Sequence, residues 1–195
     1  MLTGQYQSIA FVTAALLYYG LDFFLMKRYD RQRQDRRSGR AWDFTLLMLT
    51  AGILLAAQPV YLPFLGWYIA GGWGLALQAL GAVAFLTGLA LHAWARLHLG
   101  RFYAERVEVQ PGHQVIDTGP YALMRHPIIT SFFGMAIGLL LLNPSVLTVL
   151  LLIYTLWDFL RAARQEEDLL TSCLPEYAAY AARTPRFWPR LWRRP

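Results

Sequence analysis

Positive charge in this chain is confined. All 18 Lys and Arg residues fall in three blocks: Lys27 to Arg40, Arg96 to Arg125, and Arg161 to Arg194. Long apolar stretches without either residue lie before and between them. Cations are expensive in hydrocarbon, and membrane proteins collect Lys and Arg in their cytoplasmic loops. The pattern therefore constrains solvent and orientation together. It predicts an all-α, polytopic membrane helix bundle with its basic blocks on the cytosolic side. Only 15% of the residues are charged and 56% are hydrophobic, against about 25% charged in ordinary soluble domains. The net charge of +6 does not point to nucleic acid, because the basic residues flank apolar segments instead of lining one face. Anionic lipid headgroups account for it.

A helix needs about 20 apolar residues to cross a hydrocarbon core of ~30 Å. Five stretches are candidates: Tyr6 to Met26, Phe44 to Leu65, Trp67 to Ala95, Pro127 to Leu142, and a fifth ending near Leu160. The first runs into the cluster at Lys27 with no small-residue cleavage site before it, so it reads as a retained span. Five spans with the N-terminus outside place every basic block, and the C-terminus, in the cytosol. Spans two and three meet at Gly66 in a tight hairpin, and Asn143-Pro144-Ser145 makes the turn between four and five. Spans four and five each hold about 16 residues, or ~24 Å. Gly74, Gly81 and Gly88 recur every seven residues on span three, and Gly134 with Gly138 forms a small-residue pair on span four. Both patterns predict close helix packing. One membrane domain covers 1–195: spans one and two in 1–65, and a core in 66–195 with a polar loop at 96–126 and a cytosolic segment at 161–195. A helix is expected to continue past Leu160, with a short amphipathic cytosolic one at Tyr177 to Ala182.

Three polar features stand out. The first is the run from Gly112 and His113 to Gly119-Pro120-Tyr121, followed by Arg125-His126-Pro127. It is either a charged anchor before a helix with Pro in its first turn, or a loop and helix start that hold a polar ligand at free N–H groups. The second is Arg161 with Glu166, Glu167 and Asp168. It is either a solvated helix face, or acids for a cationic group with an Arg for an anionic one. The third is Asp158, inside span five. It either pairs with Arg161 at i+3 or has a functional role. Asp22 is expected to snorkel at the end of span one, and His92 and His98 to serve the interface. No metal-ligand spacing occurs. The single cysteine, Cys173, excludes an internal disulfide and has acidic neighbours that disfavour a thiolate.

In order and spacing these residues resemble the isoprenylcysteine carboxyl methyltransferase and phospholipid methyltransferase family of membrane enzymes. The resemblance rests on Gly112 to Ile116, Gly119-Pro120-Tyr121, Arg125-His126-Pro127, Arg161, Glu166 to Leu170, Tyr177 with Tyr180, and Arg186-Phe187-Trp188-Pro189. It covers roughly the C-terminal 90 residues. It implies S-adenosylmethionine bound on the cytosolic side under a C-terminal helix. His113, Gln114, Val115, Ile116, Gly119 and Tyr121 would line the adenosine. Arg125, His126, Pro127, Ile128 and Ile129 would border the same pocket, and Glu166 with Glu167 would bind the cofactor's polar end. Arg161 or Arg164 would meet a membrane lipid or prenylated substrate. Two departures stand out: Ile129 where the family has Tyr, and Leu174-Pro175 where Phe-Gly is common. An aminophospholipid acceptor would enlist Asp158 as a base. Sterol reductases using NADPH share part of the pattern, and a non-catalytic membrane protein is a third reading.

Overall fold

A computed structural model describes residues 2–29, 40–69, 71–100 and 114–188. Six α-helices follow in order: α1 (Gln5–Tyr29), α2 (Arg40–Tyr61), α3 (Gly71–Leu99), α4 (Pro127–Leu142), α5 (Val146–Cys173) and α6 (Tyr177–Arg183). Short 3₁₀ turns occupy Pro63–Leu65 and Gly119–Ala122. Among the described residues there is no strand, and one isolated antiparallel bridge joins Gly66 to Ser145.

The boundaries follow local chemistry. Pro127 opens α4 at a position where its missing N–H is no loss. Ser145 caps α5 in a reciprocal box: Thr148 N–H donates to Ser145 Oγ at 3.2 Å, and Ser145 N–H donates to Thr148 Oγ1 at 3.0 Å. No Gly or Pro lies between Val146 and Cys173, so α5 runs unbroken for 28 residues before Pro175. At 1.5 Å per residue it is ~42 Å long, more than a hydrocarbon core needs. Its charged half, from Arg161 onward, extends the apolar half as one rigid rod.

Three helices are long and apolar enough to cross a membrane: Gln5–Leu25, Gly71–Leu99 and Val146–Cys173. Leu49–Tyr61 and Pro127–Leu142 are shorter apolar helices. All five expected stretches are thus helical, and three of them reach spanning length. The most extensive helix pair is α3 with α4, and glycine makes it possible. A Cβ built on Gly81 would lie 2.7 Å from Gly138 O, and one on Gly138 would lie 2.7 Å from Gly81 O. One helical turn or two along, Gly88 meets Ser131 and Gly134. Both glycine patterns in the sequence therefore meet at one interface.

The two ends of the bundle differ. One end is held by side-chain amides. Gln78 Nε2 donates to Leu2 O at 2.8 Å and Leu142 O at 3.2 Å, Gln7 Nε2 donates to Asn143 Oδ1 at 3.2 Å, and Asn143 Nδ2 donates to Gln58 Oε1. These groups satisfy one another where unpaired amides would be costly. The other end carries ionic groups. Asp22 does not merely snorkel: its Oδ1 stands 3.4 Å from Arg96 Nη2 and 3.8 Å from His92 Nε2, and His92 is fully buried.

Candidate functional site

At the ionic end, the start of α4, the far half of α5, the 114–126 strip and the 184–188 tail converge. His126 precedes Pro127, and its own N–H donates to Arg186 O at 3.0 Å. Arg125 N–H donates to Pro185 O at 2.8 Å, and Thr130 Oγ1 donates to Phe187 O at 2.9 Å. The tail thereby clasps the first turn of α4. Phe187 also packs against His126 and Phe133.

Glu167 and Ala163 sit one turn apart on the face of α5 that meets α4, and both are buried. His126 Nε2–H donates to Glu167 Oε1 at 2.8 Å, while its Nδ1 faces Glu166 Oε2 at 3.4 Å. Arg186 Nε donates to both Glu167 oxygens at 3.0 and 2.9 Å, and its Nη2 also reaches Oε2. Arg125 Nη1 lies 3.5 Å from Glu167 Oε1. Glu167 thus faces Arg125, His126 and Arg186 from a buried place. Burial by itself would lower the pKa of His126, but hydrogen bonds to Glu166 and Glu167 and their charges outweigh it, and the imidazole is held above its usual value. Both ring nitrogens point at carboxylates, which favours the protonated ring.

α6 closes over the strip. Tyr180 OH donates to Tyr121 O at 2.8 Å, and Arg183 pairs with Asp117. Val115 packs with Leu170, Leu174, Tyr177 and Tyr180. Burial pushes the phenols of Tyr177 and Tyr180 upward, with nearby carboxylates adding to it. They remain neutral and act as packing and donor groups. The turn at Gly119 has φ +59, and a Cβ there would fall 2.3 Å from His98 Cδ2. His98 therefore serves as the floor of this turn.

The sequence-derived residues fall into distinct groups. Val115, Gly119, Tyr121, Arg125, His126, Pro127, Ile128, Ile129, Glu166 and Glu167 come from separate segments and meet here; Gln114 is exposed beside them and Ile116 half-buried. His113 lies outside the described residues. Ile129 takes a purely apolar role, packed with Phe133, Ala163 and Phe187. Arg161 is not part of this cluster. It is exposed, six residues before Glu167 on the same helix and so on another face, with its guanidinium over Trp157 at 5.9 Å. Asp158 is half-buried, and it makes no ion pair with Arg161 among the described residues. Arg186, Thr130 and the Asp117–Arg183 pair had no assigned role in the sequence reading. Arg186 was visible only as a member of the terminal Arg-Phe-Trp-Pro run. Among the described residues, no group of three His, Cys, Asp or Glu could hold a metal ion.

Known proteins match this chain in sequence. Residues 79–172 match the isoprenylcysteine carboxyl methyltransferase family. The chain is 32% identical over 108 residues to the cobalt-zinc-cadmium resistance protein CzcN of Cupriavidus metallidurans, covering 54% of this chain and 48% of that one. It is 36% identical over 79 residues to the nickel-cobalt-cadmium resistance protein NccN of Alcaligenes xylosoxydans xylosoxydans, covering 40% and 37%. It is 26% identical over 186 residues to protein-S-isoprenylcysteine O-methyltransferase of Saccharomyces cerevisiae, covering 87% and 74%. The matches thus span less than half the length of the two resistance proteins. The matched segment holds most of α3, all of α4 and α5 as far as Ser172, and it stops before α6 and the 184–188 tail. Through residues 79–172 this chain is similar to the isoprenylcysteine carboxyl methyltransferase family.

Proposed function

We propose that the chain is an integral-membrane, S-adenosylmethionine-dependent methyltransferase whose acceptor is borne on a lipid, an isoprenylcysteine-type carboxylate. In this reading five helices span the cytoplasmic membrane, the N-terminus is outside, and the cofactor site faces the cytosol. One observation carries it: the 115–121 strip packs under α6 while His126 joins that strip to the Glu166 flank of α5.

The side chains suit such a cofactor. Glu166 has a 45% exposed side chain and a single ionic neighbour, so its carboxylate can take an amino group. Arg125 Nε is buried without a hydrogen-bond partner among the described residues, which suits a carboxylate. Val115 and Ile116 present apolar surface for a base. Glu167, saturated by His126, Arg186 and Arg125, instead holds the pocket's frame. When bound, S-adenosylmethionine supplies a methyl group on a cationic sulfur, open to in-line attack. The protein's contribution is mainly positioning, which has a ceiling of ~7–11 kcal/mol, and exclusion of water by α6 and the tail.

A carboxylate acceptor is ionised at neutral pH and needs no base. Arg161, exposed on α5, can orient it by a bidentate pair. An amine acceptor must first lose a proton, for which Asp158, one turn before Arg161 on α5, is the candidate base. Membranes carrying the protein are incubated with methyl-labelled cofactor, and labelled lipid is quantified. Arg161→Ala should nearly abolish labelling and Asp158→Asn should leave most of it. The reverse order means amine methylation. Stabilisation by NADPH but not by S-adenosylhomocysteine would replace the reading with a reductase.

A further inference from the structure

Span one lies outside the segment that matches the family, yet its Asp22 reaches the α3–α4 interface. There Asp22, His92 and Ser131 stand in line across three helices. His92 and Ser131 are fully buried. Ser131 Oγ donates its only hydrogen to Ile128 O at 2.5 Å. The 3.3 Å contact between Ser131 Oγ and His92 Nδ1 must therefore run from Nδ1–H to the oxygen. That assigns the tautomer of His92 at this nitrogen. Nε2 makes no hydrogen bond among the described residues; it stands 3.8 Å from Asp22 Oδ1, beyond hydrogen-bond distance.

The consequence falls on the first turn of α4. A serine that bonds back to a carbonyl of the preceding turn biases the bend of the helix there. His92 holds Ser131 in this rotamer, because Nδ1–H needs the Oγ lone pair in a buried place. The two helices approach closely at this point: a Cβ on Gly88 would be 2.8 Å from Ser131 O. The rings of Tyr18 and Phe132 hold the imidazole edge-on at 5.5 and 5.3 Å. Ile128 and Ile129, in the turn that carries this bond, directly follow His126-Pro127.

We infer that His92 is a positioning residue for the cofactor-side turn of α4, acting through Ser131 and packed from span one by the Tyr18 ring. The cofactor part of this rests on the methyltransferase reading; the positioning of the turn does not.

Two variants separate positioning from plain packing. In His92→Asn the amide nitrogen can take the place of Nδ1, whereas in His92→Gln it reaches toward Nε2. Both lose the ring, so both lose its edge contacts, and thermal stability should fall in both. Affinity for S-adenosylhomocysteine, measured per folded protein, should fall about five- to tenfold in His92→Gln and stay within about twofold in His92→Asn, the worth of one buried hydrogen bond. Ser131→Ala should match His92→Gln, and combining the two should add nothing further. Amide exchange at residues 128–132 of the ligand-free protein should quicken in His92→Gln and Ser131→Ala only. Equal affinities and equal exchange in the two His92 variants, or an unaffected Ser131→Ala, overturn the inference. If the wild-type protein does not bind S-adenosylhomocysteine, the methyltransferase reading fails instead, and the exchange comparison alone decides whether His92 positions the turn.

Discussion

Glu166 and Glu167 are adjacent and chemically identical, yet replacing them by Gln should give opposite phenotypes. Glu167 is 8% exposed and faces His126, Arg186 and Arg125. Breaking a buried ion pair by removing one partner costs about 3–5 kcal/mol. Here the loss is smaller, because the Arg186 side chain is 41% exposed and can turn to water. We expect about 2–3 kcal/mol, concentrated in the clasp between α4 and the 184–188 tail. The clasp can be read by trypsin, since cleavage after Arg183 or Arg186 requires the tail to open. When opening is fast relative to cleavage, the rate tracks the open population. Two to three kcal/mol then means cleavage roughly 30- to 150-fold faster in Glu167→Gln. Glu166, with its 45% exposed side chain and one partner at 3.4 Å, should change the rate less than about fivefold, as exposed pairs are worth ~0–1 kcal/mol. Its loss should instead weaken S-adenosylhomocysteine binding. Equal cleavage rates in the two variants would refute the division of roles between the two acids.

Four further outcomes follow. The folded His126 pKa is raised by Glu166 and Glu167, so its stabilisation is full below the unfolded value of about 6.5 and is lost as pH climbs through the folded value. Thermal stability should accordingly fall as pH rises above about 6.5, and His126→Asn should flatten that dependence. Gly138→Val places carbon 2.7 Å from Gly81 O and Phe85 N; it should lower stability by at least about 2 kcal/mol, seen as a lower melting temperature in detergent. Tyr180→Phe removes the 2.8 Å bond to Tyr121 O and should cost ~0.5–1.5 kcal/mol, with α6 cleaved faster by protease. Gly119→Ala combines a left-handed φ with a clash on His98 and should weaken cofactor-analogue binding unless His98 is also made small, an epistasis that a double mutant tests.

Much of the helix inventory was legible before any coordinates. The start of α4 at Pro127 and its end at Leu142 coincide with the expected span, because a proline and an Asn-Pro turn are local signals. The charged extension of α5 and the short α6 were legible for the same reason: their breakers lie in the adjacent sequence. The site was legible only as a set of residues. Their grouping under α6 could be anticipated from the family resemblance, but not the roles of its members. Ile129 occupies a position where the family has Tyr, and its neighbours Phe133, Ala163 and Phe187 explain it as packing.

Solvent, helical periodicity and the close-packing glycines belong to the sequence, because hydropathy, charge blocks and small-residue spacing are properties of neighbouring residues along one chain. Tertiary structure decided which carboxylate is buried and which is open, since consecutive residues on a helix differ by about 100° and only the packing of α4 and the tail selects the inward one. It also decided the partners of Asp22. Its contacts are some 70 residues away in sequence, and no local pattern can reveal a pairing that exists only once α1, α3 and α4 have packed.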